Sequence, residues 1–233
     1  MATVASAITY ARQKAQTDSN GISDTNGLAW ANNGLVDITR DLIARGIDAA
    51  QTQESYTTLT TPAAGATSTF AWPSDMFALK TIEVDFTGVG GQNYIQARKL
   101  DVANLQNGTS FDFVRINQPT SDPYFTNHGD TGEIFPTVTS STSGTLVRIY
   151  YYLTPTEYTA TSDAINYPQS LDYRALGDKI LEGYYQSLEK FNVAEYWGKT
   201  MYGKKLNDAI NILGPQSKQP IKPDKLHLTG WNF

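Results

Sequence analysis

Apolar residues recur at helical spacing near the C-terminal end of the chain, at Leu176, Ile180, Leu181, Tyr184, Leu188, Phe191, Tyr196, Trp197, Met201, Leu206, Ile210 and Leu213. A charged face runs opposite. The pattern predicts two packed surface helices over Pro168–Leu213 that meet near Asn192. Pro168 suits a first helical position, and Gly214-Pro215 is a stop. At the other end, residues 3–17 read as a helix with Val4, Ile8 and Ala11 inward, closed by the turn cluster Asp18-Ser19-Asn20-Gly21. Ser23 then caps a second helix from about Asp24 to Arg45 with the stripe Leu28, Ala31, Leu35, Ile38 and Leu42, and Gly46 ends it. Gly27 and Gly34 each weaken that helix by roughly 1 kcal/mol relative to alanine. A packed helix tolerates this, and at Gly34 the missing side chain permits close approach of a neighbouring helix.

From about Gln53 to residue 160 the texture changes to Thr, Ser, Tyr and Val. ESYTTLTT, STFAWP, ALKTIEVDF, NYIQARKL, FDFVRI, IFPTVTS and GTLVRIYYYL read as strands by alternation or β-branched content. Turn signals separate them at Pro62–Gly65, Gly88–Gly91, Asn107-Gly108, Gly129 and Ser143-Gly144, with one short helical turn at Asp101–Gln106. The fold class is α+β. Residues 1–50 and 165–213 form a discontinuous helical bundle, and 51–164 an inserted antiparallel β-domain of six or seven strands, a small sandwich or open barrel. Residues 214–233 form an extended C-terminal arm.

Three prolines, Pro215, Pro220 and Pro223, forbid a helix in that arm, and Lys218, Lys222 and Lys225 against Asp224 give it a charge of +2. Ile221, Leu226, Leu228, Trp231 and Phe233 are nevertheless apolar. A segment with no core of its own does not repay the ~1–2 kcal/mol per residue of ordering unless it docks. Two hosts remain open: its own domain or another surface.

Composition narrows the function. At 233 residues, 40% apolar and 18% charged, the chain is long enough for one or two real cores. No apolar run is long enough to span a bilayer, and no basic stretch followed by an apolar core opens the chain, so neither a membrane span nor a secretory signal is expected. With no cysteine there are no disulfides or thiolate metal sites, which fits cytoplasmic synthesis. The net charge of −5 excludes bulk nucleic-acid binding. It is uneven: residues 1–160 carry 9 Lys/Arg and 15 Asp/Glu, and residues 161–233 carry 9 and 8.

Catalytic constellations are absent. The two histidines, His128 and His227, do not form a metal pair, and no G-x-S-x-G elbow occurs. Asp130-Thr131-Gly132 matches the aspartic-protease tripeptide, but it lies in the polar turn NHGDTGEIF and in one copy only. Gly88–Gly91 lacks the lysine and helix of a phosphate loop. Asn107-Gly108-Thr109 is a glycosylation sequon by pattern only. Asp122, Asp130 and Glu133 read as a solvated loop rather than a cation site. No enzyme activity and no cofactor are expected. What remains is aromatic surface: 14 tyrosines, with Tyr150-Tyr151-Tyr152 placing rings on both faces of one strand. Tyrosine favours protein interfaces because it buries area and keeps a polar tip.

The order of segments resembles the head-to-tail adaptor (neck connector) proteins of tailed bacteriophages. The resemblance rests on Ile22-Ser23-Asp24 opening a helix with Trp30-Ala31-Asn32. It rests also on Phe70-Ala71-Trp72-Pro73-Ser74-Asp75-Met76-Phe77 leading into Leu79 and Ile82-Glu83-Val84. Further on come Tyr124, Phe125, Ile149-Tyr150-Tyr151-Tyr152, Pro155 and Tyr167-Pro168, with a hinge near Asn192-Val193. The two glycines of the second helix and the long arm depart from the family pattern. The resemblance implies a structural virion protein at the head-tail junction. Such a protein forms a ring, usually a dodecamer, between the portal and a tail or neck protein. Its ring extends the channel through which DNA passes without sequence-specific binding during genome retention and ejection. On that reading Lys218, Ile221, Lys222, Lys225, Leu226, Leu228, Trp231 and Phe233 of the arm bind the portal or an adjacent subunit. Two alternatives stay open: a tail-tube or neck-completion protein that never touches the portal, and a carbohydrate-binding β-module with Trp72 as a stacking platform.

Overall fold

The computed structural model describes residues 2–46, 52–59, 62, 67–87, 93–100, 114, 116–165 and 171–213. They group into two compact units, Met1–Ala50 with Pro155–Phe233, and Gln51–Thr154.

The first unit is helical. Helix α1 (Val4–Ala15) starts at Thr3, whose side chain and backbone exchange bonds with Ser6 as a capping box. It ends on Gln16, held in the left-handed region at φ 52°, with Thr17 N–H closing onto Arg12 O at 3.0 Å. Helix α2 (Asp24–Ala44) is capped by Ser23 Oγ, which accepts from Asn26 N–H at 3.1 Å. Helix α3 (Arg174–Ser187) packs on both. Their apolar stripes meet in one core. Val4, Ala7, Ile8 and Ala11 face Ala31, Leu35, Ile38 and Leu42, with Leu176, Ile180 and Leu181 from α3 and Leu206 and Ala209 behind. Residues 155–165 belong to this unit. Val4 N–H donates to Asp163 O at 3.0 Å and Ala5 N–H to Thr161 O at 2.7 Å, while the Asn32 amide bonds both the N–H and the C=O of Tyr158. Gly34 does permit a close approach: a Cβ there would stand 2.6 Å from Lys179 Cβ of α3.

The C-terminal helices differ from the sequence reading. The break falls at Leu188–Lys190 rather than Asn192. Glu189 adopts φ 56°, and Leu188, Glu189 and Lys190 N–H groups fold back onto Tyr184, Gln186 and Tyr185 carbonyls, a helix-terminating turn built on a non-glycine residue. A short α4 (Phe191–Glu195) runs through a π-helical turn (Tyr196–Met201) into α5 (Tyr202–Leu213). Leu188, Phe191 and Tyr196, read as part of the inward stripe, are exposed. The turn at Leu188–Lys190 interrupts the helical stripe on which they were read.

The second unit is a single seven-stranded sheet: β1 (Thr52–Leu59), β2 (Thr69–Ala71), β3 (Met76–Asp85), β4 (Ile95–Lys99), β5 (Tyr124–His128), β6 (Thr131–Phe135) and β7 (Thr145–Leu153). Their order is β1-β7-β3-β4-β5-β6-β2, and the edges β1 and β2 approach one another, so the sheet is barrel-like and nearly closed. It is therefore not a sandwich. Nor is it wholly antiparallel, because β4 and β5 pair parallel. The long connection between them allows this, since a parallel pair needs a crossover of about a dozen residues or more. The inner face is Ile82, Val84, Phe125, Ile134, Val147, Ile149 and Tyr151. In FDFVRI, expected as a strand, the described residues Val114 and Ile116 are helical, as is Asn117 just after it, with Gln118 N–H donating to Val114 O at 3.0 Å. The turns expected at Pro62–Gly65 and Gly88–Gly91, the turn at Asp101–Gln106 and Asn107–Thr109 lie wholly or largely outside the described residues, and the helix expected from Pro168 begins only at Arg174, since residues 171–173 are not helical.

Candidate interaction surfaces

Strand alternation builds the first surface. On β7 the odd residues Thr145, Val147, Ile149 and Tyr151 point inward, so Arg148 and Tyr150 point out. Register then aligns Tyr56, Arg148, Glu83 and Gln96 in one row across β1, β7, β3 and β4, with Glu54, Tyr150 and Thr81 in the next. Arg148 is its centre. Its Nε–H donates to Glu83 Oε2 at 2.9 Å, its Nη2 binds the same oxygen, and its guanidinium lies 4.0 Å from the Tyr94 ring centroid and 5.0 Å from that of Tyr150. Burial in this stack pushes the Tyr150 hydroxyl up to about 12.

A second surface is a cleft of about 600 Å³ in the same unit, lined by Trp72, Pro73, Met76, Leu79 and Phe125 with Ser74, Lys99, Asn127, Gly129 and Asp130 around them. Trp72 is rigid. Its ring packs edge-on against Phe70 and Phe125, with centroids 4.9 and 6.4 Å away, and its indole N–H donates to Asn127 Oδ1 at 3.2 Å. Lys99 and Asp130 are exposed and form no ion pair with a described residue.

In the helical unit, the tip between α3 and α5 exposes Leu188, Phe191, Val193 and Tyr196, with Phe191 66% accessible. Glu189 and Lys190 stand beside it, both exposed. A cleft of about 360 Å³ lies along α2 and α3, lined by Trp30, Asn33, Asp37, Lys179 and Glu182 among others. The Lys179 ammonium bridges Asp37 (3.3 Å) and Glu182 (3.0 Å) and lies 4.7 Å from the Tyr202 ring. Deeper, the fully buried Asp178 accepts from the Tyr10 hydroxyl at 3.1 Å and pairs with Lys205, tying α3 to α1 and α5. Burial pushes Asp178 above the usual carboxylate range, against the opposing pull of Lys205 and Tyr10.

The structure scatters the sequence's candidate chemistry. Asp122 pairs with Arg98, the buried Glu133 meets His128 Nε2 at 3.0 Å, and Asp130 occupies the exposed β5–β6 turn. Among the described residues no group of three His, Cys, Asp or Glu could hold a metal. Among the described residues, too, no helix is long and apolar enough to cross a membrane. The arm residues Lys218, Ile221, Lys222, Lys225, Leu226, Leu228, Trp231 and Phe233 lie outside the described residues. The Phe191 tip and the Trp72 cleft were not read as a pair of surfaces from sequence. An apolar pair, Leu188 and Phe191, flanking the charged Glu189-Lys190 step was the available signal.

A barrel-like sheet and packed helices present exposed apolar and charged surfaces of the kind that partners cover. Residues 2–221 match the family model described as SU10 adaptor protein, and the chain belongs to that family. It is a structural phage adaptor, virion-associated, of a family that is not one of enzymes. No curated protein matches the chain.

Proposed function

We propose that this adaptor assembles as a ring, of twelve copies as in the connectors it resembles, at the junction of head and tail. The ring joins the portal to a downstream tail or neck protein and continues the channel through which DNA is retained and then ejected. The family match over residues 2–221 carries the reading. The net charge of −5 is consistent with a channel that lets DNA slide, because a lysine- and arginine-rich wall would grip phosphates. In this reading the chain divides into the discontinuous helical domain, residues 1–50 with 155–213, an inserted domain of residues 51–154, ten residues shorter than the sequence suggests, and the arm 214–233. The arm residues Lys218, Ile221, Lys222, Lys225, Leu226, Leu228, Trp231 and Phe233 dock on the portal or the adjacent subunit.

Native mass spectrometry tests this, on the protein alone and with candidate portal rings, full-length and cut after Leu213. A high-order complex that requires residues 214–233, with the melting temperature of the truncated monomer unchanged, is the expected result. A monomer that ignores the portal in both forms refutes the connector and leaves the neck-completion reading. A truncated monomer that melts substantially lower shows that the arm belongs to its own core.

A further inference from the structure

We infer that the apolar tip around Phe191 of one copy inserts into the Trp72 cleft of a second copy, and that this contact is the repeating link between subunits. The inference rests on the ring reading above and names the two surfaces that would meet.

Each surface is incomplete alone. Phe191 is 66% exposed, with Leu188, Val193 and Tyr196 uncovered beside it. So large an apolar group at a tip is unfavourable in water unless something covers it. The tip is also held in shape. Glu189 sits at φ 56°, a region that non-glycine residues rarely adopt, and three consecutive N–H groups, from Leu188 to Lys190, bond back onto the end of α3. A preformed knob loses little freedom on binding.

The cleft has matching character. Its floor is Trp72, Met76, Leu79 and Phe125, and its volume of about 600 Å³ has room for an aromatic side chain. Trp72 is fixed by Asn127 and by two edge-on rings, so the hole too is preformed. Charge completes the fit. The knob carries one acid and one base, Glu189 and Lys190, and the cleft rim carries one of each, Asp130 and Lys99. None of the four is paired with a described residue, so crossed pairs, Glu189 with Lys99 and Lys190 with Asp130, are available to set orientation.

A knob on one surface and a hole on a different one make a heterologous contact, which propagates head to tail and closes if the rotation allows. A stable pair needs roughly 1,000 Å² of buried surface, more than a single side chain seated in a cleft of about 600 Å³ supplies by itself. Two copies therefore associate weakly, while closure gives every subunit two contacts at once.

The chain has no cysteine, so engineered thiols report directly. Lys190→Cys stands at the knob and Ser74→Cys at the cleft rim, both exposed and both leaving Phe191 and Trp72 in place. Full-length single variants are mixed and treated with a short bis-maleimide, alongside each variant alone and the double variant. The inference requires a covalent dimer in the mixture only, and a ladder from the double variant. Phe191→Asp should raise the apparent dissociation constant of assembly about tenfold or more with the monomer's melting temperature unchanged. Cross-linking within either single variant alone indicates a two-fold contact and overturns the inference. Rings in native mass spectrometry without the mixed cross-link overturn this interface and leave the ring standing. No oligomer and no cross-link at any concentration overturn both.

Discussion

Helix α2 approaches α3 at Gly34 closely enough that its one missing carbon has a measurable sign. A Cβ there would lie 2.6 Å from Lys179 Cβ, 3.3 Å from Lys179 Cγ and 3.4 Å from Leu176 Cδ1. The favourable separation of carbon atoms is about 3.5–4.0 Å, so the helices must part by about 1 Å or distort. Lys179 Cβ is anchored to backbone and cannot swing aside. Gly203 of α5 is the control, with nothing within 4 Å of its added Cβ and no left-handed φ. Alanine gains about 1 kcal/mol of helix propensity over glycine at either place. At Gly203 that gain stands alone, so Gly203→Ala should be more stable than the parent. At Gly34 overpacking costs about 1–3 kcal/mol, so Gly34→Ala should fall between neutral and about 2 kcal/mol less stable. The difference between the two variants isolates the packing cost at about 1–3 kcal/mol. Urea unfolding followed by helical circular dichroism measures it. Equal stabilisation by both substitutions would refute the close approach.

Two further perturbations address charge. Lys205→Met leaves the fully buried Asp178 carboxylate without its cation and should cost about 3–5 kcal/mol at neutral pH. Asp178→Asn leaves only Lys205, which is 18% exposed and can reach water, and should cost clearly less. Asp178 is raised above its unfolded value by burial, so the folded state holds its proton more tightly. Its stabilising contribution is present below the unfolded value and is lost as pH rises through the folded one. The Lys205→Met deficit should therefore shrink on acidification into the carboxylate range, and a deficit independent of pH would contradict the assignment. On the sheet, Arg148→Lys keeps the charge but loses the planar stack on Tyr94 and Tyr150 and the paired donors to Glu83. It should cost about 1 kcal/mol, and a double-mutant cycle with Tyr94→Leu that shows no coupling would rule out the stack.

The helices and most strands were legible because a single period dominated each segment. Ser23 as a cap and Ala31, Leu35, Ile38 and Leu42 as the buried stripe of α2 are local facts that tertiary contacts only reinforce. Strand β7 alternates cleanly enough to separate Ile149 and Tyr151 from Arg148 and Tyr150. The failures share a cause: the deciding interaction was not local. Strand β5, Tyr124–His128, follows Pro123 with polar Thr126, Asn127 and His128, and only its ladder with β6 and its parallel pairing with β4 make it a strand. The break after α3 uses Glu189 in a conformation that glycine or asparagine usually signals. The π turn at Tyr196–Met201 has no local signature. It coincides with Gly198, whose absent side chain leaves room for the Glu182 carboxyl.

The same break decides which residues are free to bind. Had α3 continued through Asn192 as one regular helix, Leu188 and Phe191 would have stayed on the stripe that carries Leu181 and Tyr184 into the core. Ending α3 at Ser187 takes them off that stripe, while Ala194, Tyr202 and Leu206 stay buried. The helical unit therefore keeps its core and gains a rigid apolar tip from one local irregularity. The strain at Glu189 can be measured separately from binding: Glu189→Gly relieves the left-handed φ and should stabilise the monomer by about 1 kcal/mol. If it instead destabilises the monomer, the turn is held by side-chain contacts of Glu189, and the argument that the tip is shaped for an external surface fails.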